Sequence, residues 1–147
     1  MKRVFTCAAF AATILMAGCT GSKEPTSQED LADCYRSEFG ASLPSAVGAL
    51  QARQVMIGDT WSQWLHFTAD AATVDSIIAG GFEPSDRTTF TNEAGGPNAP
   101  AWWRSNSDKL EHFYVHRQWH KRGDSGRAYL AYDAAKKIVH FRSLTVD

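Results

Sequence analysis

Three histidines in the stretch EHFYVHRQWHK, residues 111–121, recur at a constant spacing: His112, His116 and His120. Imidazole is the commonest metal ligand and the usual general base near neutral pH, so the spacing raises a metal site. A spacing of four puts side chains on one face of a helix or of a strand, and distance has to decide. On a helix such residues lie about 5–6 Å apart. On a strand they lie about 13 Å apart, at roughly 3.3 Å per residue. That is too far for two ligands which must each come within about 2 Å of zinc. The intervening Phe113, Val115 and Trp119 are strand-forming and alternate with the histidines. The segment therefore reads as a strand, and no metal site or cofactor is expected from it. A looser arrangement stays open: His66, His116 and His140 each fall on an expected strand, and imidazoles of neighbouring strands can meet.

Other residues offer different chemistry. Ser125 lies in GDSG (123–126), which resembles the surroundings of the catalytic serine in trypsin-like proteases. The likeness covers four residues, and the chain has no room for the two β-barrels of that fold. Gly and Asp also accept turn dihedrals, so a hairpin loop explains the motif. Cys34 shares a helical face with Leu31, Tyr35 and Phe39 and reads as a small core residue; the alternative is a nucleophile. Trp102 and Trp103 stand together in a Gly/Pro-rich stretch. Tryptophan is over-represented at interface hot spots, which makes the pair a candidate binding element for a protein, or for a glycan or lipid. The alternative is that one or both pack back onto the sheet. Arg117 and Arg122, with His120, Lys121 and Arg127, form a basic cluster around a hairpin. They are candidates for meeting an acidic partner, or a solvated hairpin tip. No Walker loop, G-x-G-x-x-G, H-E-x-x-H or EF-hand pattern occurs, and no residue is assigned a catalytic role.

The elements that must position these residues follow from local signals. Ser27, with Asp30 three residues on, starts a helix that Gly40 ends. Two β-prone runs, 46–56 and 60–68, flank Gly58-Asp59, a hairpin signal. In the second run Leu65 and Phe67 share one face, and Trp64, His66 and Thr68 the other. TADAATVDSIIAGG is a second helix, capped by Thr68 or Asp70 and stopped by Gly80-Gly81. Residues 82–107 read as a long loop. Three strands follow, over 110–119, 127–132 and 138–142. The expected fold class is α+β: helices packed on a largely antiparallel sheet of about five strands in a single small domain.

The N-terminus indicates a destination. Lys2 and Arg3 precede an apolar run from Val4 to Ala17, the length of a signal-peptide core and too short to span a bilayer. The run closes on LMAGC, which resembles the lipobox of bacterial lipoproteins. Ala17 and Gly18 fill the small positions, while Met16 stands where leucine is usual and Leu15 lies one place earlier. The resemblance implies removal of residues 1–18 and lipidation of Cys19. Thr20 in place of Asp after the cysteine implies the outer membrane of a Gram-negative cell, with the domain in the periplasm. Residues 19–28 would form a flexible tether, and 29–147 the periplasmic domain.

After such processing 129 residues remain, with 13 basic against 16 acidic residues and a net charge of −3. A weakly acidic envelope domain is a poor partner for nucleic acid. Cys7 leaves with the signal and Cys19 is acylated, so Cys34 has no intramolecular disulfide partner; the sequence does not fix an oligomeric state. LPSAV, WLHFTAD and the Trp-Trp loop resemble small uncharacterised bacterial lipoproteins of α+β type, which implies a class and no activity. The expectation is a membrane-anchored, non-enzymatic module that binds an envelope protein as an accessory or immunity factor. The alternatives are a small hydrolase using histidines with Ser125 or Cys34, and a glycan- or lipid-binding module centred on Trp102-Trp103.

Overall fold

Ser27 and Gly40 bracket the first helix. In the computed structural model, which describes residues 20–104, 109–119 and 126–146, α1 (Gln28–Phe39) begins where the Ser27 hydroxyl accepts the Asp30 N–H. It ends where Gly40 turns left-handed and donates its N–H to the Arg36 carbonyl. Asp70, not Thr68, caps α2 (Ala71–Ile78) by accepting the Thr73 N–H. Each of the two N-caps satisfies an otherwise orphaned terminal donor, worth about 1 kcal/mol.

Strands β2 (Gly48–Ile57) and β3 (Thr60–Thr68) form the expected hairpin, with Gly58 at φ 57° in its turn. The C-terminal strands are β5 (His112–His116), β6 (Gly126–Asp133) and β7 (Ile138–Val146). Strand β7 sits at the centre, antiparallel to β3 on one side and to β6 on the other.

The expectation of a five-strand α+β domain is overturned. The described residues form one antiparallel sheet of seven strands, ordered β1-β2-β3-β7-β6-β5-β4, with short helices. The two unexpected strands lie at its edges. β1 (Thr20–Lys23) falls in the stretch read as a tether and pairs with the end of β2. Its TGSK sequence is exposed throughout, so backbone pairing and not side-chain pattern makes it a strand. β4 (Glu83–Pro84) is two residues long and pairs with β5. The stretch read as a loop also contains α3 (Arg87–Ala94) and the single turn α4 (Ala101–Arg104).

Helices cover both faces of the sheet. On one, α1 and α2 bring Leu31, Tyr35 and Val74 onto Leu65, Phe67, Leu130, Val139 and Phe141. On the other, α3 and α4 bring Phe90, Ala94 and Trp103 onto Trp64, Phe113, Val115, Tyr129 and Ala131. Antiparallel sheets commonly leave one face to water. Here β3 is buried on both sides, which is why its WSQWLHF run carries large side chains at odd and even positions alike. No described helix is long and apolar enough to cross a membrane.

Candidate functional site

The α1–α2 face is not fully closed. Between the two helices lies a cleft of about 610 Å³, within the roughly 300–1,000 Å³ range of ligand sites. Tyr35 and Phe39 of α1 form one wall, and Ala72, Thr73, Ser76 and Ile77 of α2 the other. His116, Gln118 and Trp119, at the end of β5 and just beyond, close one end. Asp70 stands at the rim; hydrogen bonds from Thr73 hold its carboxyl below the usual range.

His116 owes its place to a glycine. At Gly81, φ is 113° and a Cβ would lie 2.8 Å from His116 Nε2. The Gly80-Gly81 pair that stops α2 therefore also makes room for the imidazole. The ring stands edge-on to Phe82 and Trp119, at centroid distances of 5.4 and 5.1 Å. Its Nδ1 accepts the Gln118 N–H at 3.3 Å, which leaves Nε2 to carry the proton of the neutral ring.

Trp119 is held by a buried carboxylate. Glu38 is 4% exposed. Its Oε2 accepts the Trp119 indole N–H at 2.9 Å, and its Oε1 accepts the Ser143 hydroxyl at 2.7 Å. One side chain thus ties α1, β7 and the end of the cleft together. Burying a carboxylate is costly unless it is hydrogen-bonded. The sequence carried a sign of this that was missed: Glu38 falls on the apolar stripe Leu31–Cys34–Tyr35, where a charge needs a partner.

The histidines divide between the faces. His66 and His140 are register partners on β3 and β7, with rings edge-on at 4.7 Å. Imidazoles of neighbouring strands do meet there, but His116 lies on the opposite face and does not join them. Burial foremost, and His66 next to it, push His140 down to about 3; burial also lowers His66. Neither ring nitrogen of His140 has a hydrogen-bond partner. Trp103 packs 4.8 Å from it. A base held neutral inside an aromatic cluster has no path to a substrate proton, so this pair reads as core. Among the described residues no group of three or more His, Cys, Asp or Glu is placed to hold a metal ion.

The remaining candidates fall apart spatially. Trp103 is 2% exposed and stacks on Phe90, so it is a core residue. Trp102 is half-buried, 6.0 Å from His66. Neither lines the cleft. Arg117 forms an exposed ion pair with Glu83 at 3.4 Å, and Arg127 with Glu93 at 3.4 Å; such pairs contribute little. Cys34 is buried, its sulfur accepts from Gln54 at 3.4 Å, and burial pushes its thiol up to about 11. It is protonated at neutral pH and unsuited to nucleophilic attack. Cys19, His120, Lys121, Arg122 and Ser125 lie outside the described residues. No protein-family model, no curated protein and no solved structure matches this chain, so its site is read from its own geometry.

Proposed function

We propose that the chain is a lipid-anchored, non-enzymatic binding module of the cell envelope, and that the α1–α2 cleft receives a segment of a partner protein. The cleft carries this reading. It is the right size for a ligand, and its lining mixes apolar side chains such as Phe39, Ala72 and Ile77 with hydroxyl, imidazole and amide groups that donate as well as accept. Such a lining suits the alternating N–H and C=O groups of a peptide flanked by apolar side chains. No cluster of like charge lines it to select an anion such as phosphate. Tyr35 and Trp119 are 2% and 6% exposed, so the two largest rings have no open face for a sugar to stack on. The protonated Cys34 thiol weighs against the hydrolase alternative built on it. Lipidation at Cys19 and residence at the outer membrane rest on the LMAGC motif.

The test is a photo-crosslinking residue at Ala72, introduced into the full-length protein in cells. Ala72 and Ser76 are exposed and lie one turn apart on the cleft side of α2. The expected result is one discrete protein adduct, lost when Ser76→Trp fills the cleft without lowering the melting temperature. An adduct that survives Ser76→Trp, or that forms equally from Lys136 on the β6–β7 turn, would sink the proposal.

A further inference from the structure

Among the described residues the exposed large hydrophobic side chains are Met56 and Ile57, at 39% and 49% exposure, and they are neighbours at the end of β2. Being consecutive on a strand, they point to opposite faces of the sheet. A patch that is apolar on both faces of a sheet corner is not covered by docking one flat surface. It suits a medium that can surround it. Their strand partners complete the picture: Ile57 pairs with Thr20, and Met56 with Gly21. Thr20 directly follows Cys19 in the chain. The cysteine is thus one residue in sequence from the strand partner of Ile57.

From this we infer that the β1–β2 corner is a second, shallow membrane contact, with Met56 and Ile57 seated among the lipids beside the acyl anchor. The inference rests on the anchoring reading above. Because β1 starts at Thr20, no flexible spacer separates the anchor from the sheet, and the apolar pair is carried to the bilayer by the chain itself. Asp59 lies on the β3 side of the turn. The sheet therefore meets the membrane by its β1–β2 corner and not by the hairpin apex, and that carboxylate stays hydrated at headgroup level. Trp61, the register partner of Met56, stands next to this corner, and indoles favour the headgroup layer.

The experiment places an environment-sensitive fluorophore at Ile57→Cys, or at Glu83→Cys on the opposite sheet edge, in full-length lipidated protein with Cys34→Ala. The protein is reconstituted into phosphatidylethanolamine–phosphatidylglycerol vesicles containing nitroxide-labelled lipid. Expected is a blue shift and strong quenching by the lipid nitroxide at 57, with neither at 83. A blue shift at 57 without lipid quenching would assign the corner to a protein contact and overturn the inference. Aqueous emission at 57 in protein whose acyl chains are present by mass spectrometry would overturn the corner contact and leave the anchor standing. Absence of the acyl mass would overturn the anchor, and the corner contact with it.

Discussion

The two faces of the sheet are built from similar materials to opposite ends. Each carries two helices, a cluster of aromatic rings and at least one histidine from the strands: His140, with His66 beside it, on one face and His116 on the other. On the α3–α4 face the rings close over the strands: Trp103 packs over His140 and Phe90 stacks behind it, leaving a pocket of only about 170 Å³ beside them. On the α1–α2 face the helices stand apart, and His116 lines the gap between them. The first histidine is sealed in as a core group, while the second keeps a hydrogen bond from Gln118 and access to a cleft. The difference teaches that residue type at a strand position says little about role. What separates the two sites is whether the covering helices meet.

The largest expected effect tests the closed face. Trp103→Ala removes the central ring and should cost about 3–5 kcal/mol, read as a fall in the denaturant midpoint; a loss under 1 kcal/mol would mean the face is not sealed. Next comes pH. The folded His140 is held well below its unfolded value of 6.5, near 3, so the unfolded chain binds the proton first. Its influence is absent above pH 7, and stability falls as pH drops from 6.5 toward 3. The slope is about 1.4 kcal/mol per unit. His140→Leu should flatten that slope in pH-dependent melting, and an unchanged slope would move the effect to other groups. A smaller change tests the end of the open face. Glu38→Gln keeps one acceptor but removes the charge holding Trp119 and Ser143, and should cost about 1 kcal/mol. It should also weaken the Ala72 adduct, whereas Trp103→Ala at a permissive temperature should not. The smallest change in stability is expected from Ser76→Trp, within about 0.5 kcal/mol for an exposed helix position. A large destabilisation there would mean that the helices already meet and the cleft is not open.

The features legible in the sequence were those written in short-range chemistry. Ser27, Gly40 and Asp70 cap helices by contacts within four residues, and Gly58-Asp59 turns a hairpin. The edge strands were not legible, because Thr20–Lys23 and Glu83–Pro84 are strands only by virtue of what they pair with. That is how five expected strands became seven. Helix α3 had left a signal, Asp86 at its N-cap and Phe90 and Ala94 four apart on its buried side, which the surrounding Gly and Pro residues obscured. The cleft was illegible for a different reason. It is assembled from α1, α2 and the stretch after β5, and only the sheet order brings those together. Trp102-Trp103, the conspicuous pair, lies on the other face.

The position of β7 has a kinetic consequence. It is the last of the elements in chain order, yet it is the central strand, joining β3 across separations of 70 to 86 residues in the pairs Thr68–Ile138 and Thr60–Val146. Non-local pairing of this kind is slow to nucleate. Until β7 is in place, β1-β2-β3 and β4-β5-β6 are two half-sheets, each with a bare inner edge. Unpaired edges beside Leu65, Phe67 and Leu130 are hazards for aggregation. A chain arranged this way completes its sheet in one late step, when the final strand docks between the two halves.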